Sequence, residues 1–284
     1  MFSKEKIEEI VLVTLVADSY SLGAHWVYDE KQLHDLDVDW EALNAPKAQW
    51  HKGKNAGDFT HIGDQAYFLK EFLKDKSEFN ALEYLEFWRD KMGSYEGYID
   101  GATRETLVNL EQGKTIGSNS EDFSVIGRIA PLLLVSKDEA SFLRNVNDFV
   151  RLSHNSPKVI EASIFFAKLL FRAEKSKNIE KEMLLLKDEF SPYVIKSVEN
   201  GVASKHQDTF ETIRKFGPAC GIDEGFSGII HLLSKYPFDL KNLLIQNAKA
   251  GGDSASRGMV ASMIVAAYSS EVGLPQEWFK INKF

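Results

Sequence analysis

The sequence predicts an all-α protein that forms a single domain over residues 1–284. Three observations predict this fold class. Apolar residues recur at the i, i+3, i+4 spacing of an amphipathic helix along most of the chain. The β-branched alternation typical of strands is nearly absent. No Pro/Gly/Ser-rich linker and no fixed-period repeat divides the chain.

The helical pattern recurs in a series of segments along the chain. They are 5–23, 64–75, 80–92, 101–112, 124–137, 139–152, 157–173, 179–187, 191–201, 207–214, 224–235, 238–249 and 256–271. The first is predicted to be a buried helix, because Glu8 and Glu9 precede its apolar run and no A-x-A cleavage pattern follows. In 157–173 a proline opens the helix, and the inner stripe is Val159, Ile160, Ser163, Phe166 and Leu170.

Residues 28–63 form the longest irregular region of the sequence. This region contains Trp40, Trp50, His51 and His61 together with several glycines. Long loops in compact domains are usually functional or disordered, and clustered aromatics favour an ordered loop. Two interpretations stay open: a packed surface loop, or a loop that shapes a site.

Charge and cysteine content limit the partners of the protein. The net charge is −8 and the isoelectric point is about 5.5, which argues against nucleic acid or an anionic membrane as the main partner. The single cysteine, Cys220, excludes an internal disulfide, and no Cys/His cluster has zinc spacing. No stretch approaches the roughly 20 apolar residues of a membrane span. We therefore expect a cytoplasmic protein, and the sequence carries no indication of its oligomeric state.

Four short polar segments interrupt the helical patterns: 17–29, 56–65, 117–131 and 251–258. In the first, Asp18 either caps and packs or supports a site. In the second, Asp64 precedes an apolar helix, where an acid is often an N-cap, and Thr60 fits that role better. In the third, Arg128 either binds an anion or forms an internal ion pair. A histidine such as His154 in RLSHNSPKV is more often structural than catalytic.

The segment AKAGGDSASRGM, residues 248–259, is the most unusual of the sequence. Gly251 and Gly252 would let backbone amides approach a ligand, while Ser254 and Ser256 at a helix N-terminus offer donors suited to phosphate. A capping turn between two core helices would have a similar sequence. Both interpretations stay open on the residues alone.

Taken together, these segments resemble the ADP-ribosylglycohydrolase family. ADSYSLGAHW is similar to the family's G-D-A-x-G-A-P, SVIGRIAPLLL to its G-S-x-M-R-I-A-P-L, and RLSHNSPKVIEA to its L-T-H-x-x-P-x-x-x-E-A. The segment that begins at Gly251 resembles G-G-D-T-D-T-x-G-A and its continuation to I-P-x-x-W, with Pro275 and Trp278 at the matching spacing. The resemblance covers nearly the whole chain.

The resemblance implies an orthogonal multi-helix fold and hydrolysis of ADP-ribosyl linkages by two magnesium ions, but the metal motifs depart from the pattern. In place of T-D-D-T the chain has Ile62-Gly63-Asp64-Gln65, where Asp64 aligns with the second acid. In place of G-G-D-T-D-T, Asp253 matches the first acid, Ala255 replaces the other, and Ser256 replaces a threonine. Two remaining carboxylates are too few to hold two Mg²⁺ ions. We therefore expect no binuclear centre, no metal and no other cofactor, with one Mg²⁺ in a single reduced site as the alternative.

Arg257 follows the altered metal-binding motif and is a candidate to replace part of its positive charge. An arginine in the first turn of a helix faces the positive end of the helix dipole unless an acid or an anionic ligand compensates. We expect an inward-facing guanidinium beside Asp253 and Asp64, which would partly replace the charge of a lost cation. A surface arginine is the alternative.

Two functions follow from the resemblance. The first is a divergent glycohydrolase or binding protein for an ADP-ribosyl or related nucleotide group, with Asp64 and Asp253 as catalytic residues. The second is an inactive family member that binds a nucleotide-like ligand or serves as a structural, crystallin-like protein. In either case the expected partner is a small nucleotide or ADP-ribosylated substrate. The candidate substrate-binding residues are His25, His61, Ser118, Asn119, Arg128, Gly251, Gly252, Ser254, Ser256 and Arg257.

Overall fold

The computed structural model describes residues 2–176 and 178–284, and its regular structure is helical. The helices, numbered α1 to α14 in chain order, are Lys4–Ser21, Glu30–His34, His61–Leu73, Ala81–Gly93, Gly101–Glu111, Ser124–Gly127, Glu139–Ser153, Pro157–Ser176, Ile179–Leu186, Pro192–Ala203, Thr209–Phe216, Ile222–Lys235, Leu240–Lys249 and Ser254–Tyr268. Short 3₁₀ helices cover Gln49–His51, Ala130–Val135, Lys187–Glu189 and Gln276–Phe279. The described residues contain isolated β-bridges but no strand. The all-α prediction is confirmed.

Helix α14 lies at the centre of the molecule. Every residue from Ser254 to Tyr268 is buried, and α1, α8, α12 and α13 pack around it. A helix that is apolar on all sides belongs in a core. Neither α14 nor any other helix within residues 2–176 and 178–284 is long and apolar enough to cross a membrane. The burial of α14 places its first turn, with Asp253 and Arg257, inside the protein.

Most predicted helix boundaries differ from the observed ones by up to three residues, and two departures have a clear local reason. The segment 124–137 is not one helix: α6 ends at Gly127, and a 3₁₀ helix covers Ala130–Val135. Pro131 has no N–H to donate to the carbonyl of Gly127, so the α-helical ladder cannot continue there. Helix α3 begins at His61 rather than at 64, because the hydroxyl of Thr60 accepts the N–H of Ile62 at 3.1 Å.

The long region 28–63 is an ordered loop that packs on the core. Asp29 caps α2 by accepting the N–H of Gln32 at 2.8 Å. The Trp278 indole donates to the carbonyl of Glu41 at 2.8 Å, and its ring stacks on Tyr20 with the centroids 3.9 Å apart. The loop is thereby attached to both chain-terminal regions. Its second half carries a 3₁₀ turn, Gln49–His51, towards the start of α3.

Candidate functional site

The N-termini of α3 and α14 meet at the segment that follows α1. The carboxylate of Asp18, near the end of α1, accepts the N–H and hydroxyl of Thr60 at 2.7 and 2.6 Å and the N–H of Gly63 at 3.2 Å. Burial raises the pKa of Asp18 to about 7, although these hydrogen bonds lower it. Asp18 therefore holds the first turn of α3 against α1, and it needs the small Gly63 beside it.

The Gly-Gly turn before α14 pairs with the loop after α1. Trp26 donates its N–H to the carbonyl of Gly252 at 2.7 Å, and Gly252 donates to Val27 at 2.8 Å. Gly251 and Gly252 have φ values of +66° and +58°, a region that favours glycine. A Cβ on Gly252 would lie 2.7 Å from the Cβ of Pro218. The turn is a closely packed junction.

The predicted anion-binding amides are used within the protein in this conformation. Gly251 donates its N–H to Ala248 at 2.9 Å, and Asp253 donates to Pro218 at 2.8 Å. The hydroxyl of Ser256 donates to both carboxylate oxygens of Asp253, at 2.8 and 2.9 Å. Within the described residues 251–258, the hydroxyl of Ser254 is the side-chain polar atom that is buried without a partner. The capping interpretation of this segment fits the geometry better than the phosphate-binding one.

Arg257 points inward, but it does not occupy the place expected for it. Its side chain is fully buried. The guanidinium donates to the side-chain oxygen of Asn247 at 2.9 Å and to the carbonyls of Pro218, at 3.1 Å, and Gly251. Among the described residues it forms no ion pair with Asp253 or Asp64. Its charge lowers the pKa of Asp253, yet burial dominates and raises that pKa to about 6.

Asp64 is neutralised by the protein itself. Its carboxylate forms an ion pair with Lys54, accepts the hydroxyl of Tyr95 at 2.7 Å, and lies 3.6 Å from the ammonium of Lys283. Asp64 is not the N-cap of α3, which is Thr60. Lys54 and Tyr95 share one carboxylate oxygen and Lys283 faces the other, so groups of the protein already compensate the charge of this carboxylate.

Three buried histidines lie close together between Asp253 and the first turn of α3: His25, His51 and His61. The Nε2 of His51 lies 3.2 Å from the Nδ1 of His61, and one ring nitrogen from each histidine lies within 4.8 Å of the others. Burial lowers all three pKa values, to about 4 for His51 and about 3 for His61. The rings are therefore neutral at pH 7, and they could hold a metal ion.

Aromatic side chains surround the histidines. Trp26 stacks on His25 with the centroids 4.9 Å apart, and it meets Tyr98 edge to face at 4.9 Å. Trp26 has a positive φ of 62°, a strained conformation for a bulky residue. Trp50 lies 5.7 Å from Tyr98 and is 46% exposed. Trp50 therefore offers an aromatic face to solvent beside the histidines.

Arg128 forms the internal network that was one of its two predicted roles. Its guanidinium donates to Gln65 at 2.7 Å and to the hydroxyl of Ser124 at 2.9 Å, and it lies 3.5 Å from the carboxylate of Asp100. Asp100 caps α5 and lies 3.5 Å from the Nε2 of His61. Burial would raise the pKa of Asp100, but the charge of Arg128 and the neighbouring His61 bring it down to about 2.

Ser118 and Asn119 form hydrogen bonds within the protein, and their predicted role in substrate binding stays a prediction. The hydroxyl of buried Ser118 donates to the carbonyl of Ser153 at 2.8 Å, which ties this segment to the end of α7. Asn119 is exposed, and its N–H donates to Glu105 at 3.2 Å. His154 is a structural histidine: its ring is buried, its Nδ1 lies 2.9 Å from the hydroxyl of Ser153, and burial lowers its pKa to about 3.

One further carboxyl group, Asp122, belongs to the site and was not predicted. Burial and the charge of Asp253 raise its pKa to about 7. Cys220 and Tyr28 lie in the same neighbourhood, since the charges of Asp122 and Asp253 raise the pKa of both. Sequence reasoning also missed three other residues of the site, because no motif spacing connects them: His51, Lys54 and Asp100. The only sequence signal was the position of Asp122 inside the polar segment 117–131.

The residues present do not fit a binuclear magnesium centre. Mg²⁺ needs oxygen ligands in octahedral geometry, with carboxylates supplying the negative charge. Asp64 is paired with lysines, Asp253 accepts the hydroxyl and N–H of Ser256, and position 255 is an alanine whose methyl is buried. The absence of a binuclear centre stays a prediction.

Comparisons with known proteins agree on one family. The family model of ADP-ribosylglycohydrolases matches residues 2–282. Crystallin J1A of Tripedalia cystophora is 20% identical, covering 97% of this chain and 91% of its own length, and crystallin J1B of the same organism is 21% identical with the same coverage. A solved ADP-ribosylglycohydrolase-related protein complex shares the fold, with a TM-score of 0.73 and 17% identity over 97% of this chain and 92% of the other.

Proposed function

Because the chain belongs to the ADP-ribosylglycohydrolase family, we propose that it binds an ADP-ribosyl or related nucleotide group without a binuclear magnesium centre. The observation that carries this proposal is the state of Asp64. Its carboxylate is paired with Lys54 and Lys283, so the protein supplies the positive charge that a metal would otherwise bring. The binding site lies beside the first turn of α3.

A cavity of about 500 Å³ next to Asp64 supports an anionic ligand. Its wall contains four lysines and two acids: Lys52, Lys54, Lys91, Lys283, Asp64 and Glu96. Ammonium groups on flexible stems are well suited to phosphate oxygens. The exposed ring of Trp50, two residues before Lys52, offers a face on which a nucleobase can stack. Trp50 would then contact the base and Lys52 the phosphate, and the two residues belong to the same turn.

Calorimetric titration with ADP-ribose tests the proposal. We expect saturable one-to-one binding by the wild-type chain and at least tenfold weaker binding by Lys52→Ala and Trp50→Ala. Phe238→Ala is the matched control for Trp50, since Phe238 is also exposed, at 77%, and lies far along the sequence. Lys196→Ala controls for the loss of one positive charge. Absence of saturable binding by the wild-type chain would overturn the proposal.

Hydrolysis without magnesium is a second candidate function, favoured by the placement of Asp122. Its pKa of about 7 leaves it about half protonated at neutral pH, while the neighbouring Asp253 is the retained acid of the G-G-D segment. In this function Asp122 protonates the leaving group as the glycosidic bond breaks, and Asp253 stabilises the positive charge that develops on the sugar. A water molecule then forms the new bond to the anomeric carbon and returns a proton to the Asp122 carboxylate.

The second candidate is tested with ADP-ribosylated arginine, ADP-ribosylated serine and O-acetyl-ADP-ribose, each with and without added Mg²⁺. Turnover that ignores Mg²⁺ and is lost in Asp122→Asn and Asp253→Asn would support it. Ligand binding without turnover would leave binding as the function, as in an inactive family member. Turnover that requires Mg²⁺ would contradict both proposals.

A further inference from the structure

The buried histidines His25, His51 and His61 are not explained by packing alone. They come from three separate parts of the chain: the turn after α1, the 3₁₀ turn Gln49–His51 and the first residue of α3. None is more than 3% exposed. Apolar or hydroxyl side chains could fill the same space without the cost of burying six polar ring nitrogens.

Two of these ring nitrogens have no hydrogen-bond partner. They are the Nε2 of His25 and the Nδ1 of His51, and both are buried. Buried polar atoms are nearly always satisfied, so the unpartnered Nε2 of His25 points to a bound group, whereas the Nδ1 of His51 lies on the other side of its ring from the Nε2 that faces His61. The neutral state of the rings leaves one lone pair on each imidazole, which is the form that binds a metal.

Carboxylates lie behind two of the three rings. The Nδ1 of His25 lies 3.6 Å from the Oδ1 of Asp253, and the Nε2 of His61 lies 3.5 Å from the Oδ2 of Asp100. Metal-binding histidines usually direct their second nitrogen at a carboxylate or carbonyl, which fixes the tautomer and strengthens the ligand. The backbone N–H of Ala255 donates to the Nδ1 of His25 at 3.3 Å, a hydrogen bond that a metal on Nε2 would break. A metal on Nε2 would move the His25 proton to Nδ1, towards Asp253.

We propose that His25, His51 and His61 bind one zinc ion. Zinc binds imidazole nitrogens at about 2.0–2.1 Å in tetrahedral geometry, so two of its nitrogen ligands lie roughly 3.4 Å apart. The separation of 3.2 Å between His51 Nε2 and His61 Nδ1 is close to that value. The third nitrogen, at most 4.8 Å from the others, needs to move by about 1.5 Å. The carboxylate of Asp253, and that of Asp100, which also lies 3.5 Å from Arg128, would stand behind the histidine ligands of the ion.

This zinc site does not depend on the nucleotide-binding proposal, and it differs in chemistry from a magnesium centre. Imidazole suits zinc and neighbouring first-row ions, whereas magnesium prefers oxygen. Three protein ligands leave a fourth position for water or another group. Without metal, the His51–His61 hydrogen bond, the Ala255 N–H on His25 and the stacking of Trp26 on His25 hold the cluster.

Titration of the metal-free full chain with Zn²⁺, and separately with Co²⁺, tests the site. We expect one equivalent to bind with micromolar or tighter affinity, the strong visible absorption of tetrahedral Co²⁺, and no competition from millimolar Mg²⁺. His25→Gln, His51→Gln and His61→Gln should each weaken binding at least tenfold. His231→Gln, a buried histidine outside the cluster, and His206→Gln, an exposed one, should bind as the wild type does.

Thermal unfolding gives a second readout that requires no activity. Zinc should raise the melting temperature of the wild type and of His206→Gln but not that of His51→Gln. If a cluster variant fails to fold, the wild-type Co²⁺ spectrum still decides. An octahedral Co²⁺ spectrum, no bound equivalent, or equal loss of affinity in His206→Gln would overturn the proposal.

Discussion

Lys54 forms an ion pair with Asp64 in the first turn of α3, where Asp64 is 2% exposed and the lysine side chain is 20% exposed. The Asp64 carboxylate could bind a metal cation, but the Lys54 ammonium already lies beside it. We expect Lys54→Met to lower the free energy of unfolding by about 2 kcal/mol, because a buried carboxylate loses its main counter-charge. Tyr95 and Lys283 keep the loss below that of a fully unpaired charge.

A double-mutant cycle with Asp64→Asn isolates this pair. The two single variants should each be less stable than the wild type, and the double variant should be more stable than the sum of the two losses predicts. Lys52→Met, in the same turn but exposed, should change stability by less than about 0.5 kcal/mol. Additive losses in urea unfolding would mean that the Lys54–Asp64 contact contributes nothing.

Gly63 allows the first turn of α3 to approach α1. A Cβ at this position would overlap the carboxylate of Asp18 and would lie 2.9 Å from the Cβ of Phe59. Gly63→Ala should therefore destabilise the protein by about 3 kcal/mol, measured by urea unfolding. Gly101→Ala is the matched control, since Gly101 is also in a first helical turn but meets nothing within 4 Å. A stability gain of about 0.5 kcal/mol is expected there.

Arg257 stabilises the Gly-Gly turn through hydrogen bonds. Arg257→Lys keeps a positive charge but can satisfy only part of the set formed by Asn247, Pro218 and Gly251, so we expect a loss of about 3 kcal/mol. In double-mutant cycles the coupling with Asn247→Ala should exceed the coupling with Asp253→Asn. The reverse order would restore the predicted role of Arg257 as a counter-charge for Asp253.

His231 lies outside the histidine cluster and makes the free energy of unfolding depend on pH. Its two ring nitrogens lie 2.8 and 3.1 Å from the hydroxyls of Ser204 and Thr209, and burial with the nearby Lys235 lowers its pKa to about 4. The unfolded chain takes up this proton near pH 6.5 and the folded chain does not, so stability falls as pH drops from about 6.5 to about 4.

The expected size of this effect is about 3 kcal/mol, since each pKa unit corresponds to about 1.4 kcal/mol. Unfolding free energies are measured with urea between pH 4.5 and 7.5. As pH falls, they should decrease less steeply in His231→Gln than in the wild type, and the difference in slope should correspond to the uptake of up to one proton on unfolding. His206→Gln, which is exposed, should follow the wild type. Identical slopes for His231→Gln and the wild type would show that His231 is protonated equally in both states.

The fold was largely predictable because helical periodicity is a local signal. The pattern in 157–173 corresponds to α8, Pro157–Ser176, and all five residues of the predicted inner stripe are buried. The boundary errors arose where one residue overrides the pattern: Pro131 ends a helical ladder, and Thr60 starts α3 early.

The site was only partly predictable, because its residues are close in the folded protein but have no regular spacing in the sequence. Family motifs led to Asp64, Asp253 and Arg257, and helix-terminal polar residues led to Asp18 and Thr60. Lys54 and Lys283, which neutralise Asp64, are separated from each other by most of the chain. The direction of the Arg257 side chain also depends on carbonyls contributed by other segments.

The affinity for ADP-ribose with and without magnesium tests the central claim most directly. Wild-type protein is titrated calorimetrically with ADP-ribose in metal-free buffer and again with 10 mM Mg²⁺, roughly ten times the millimolar affinity of weak protein sites. The account predicts saturable binding with the same dissociation constant, within about twofold, in both buffers. Binding that appears only with Mg²⁺, or tightens tenfold or more, would mean that magnesium completes the site and would contradict the account.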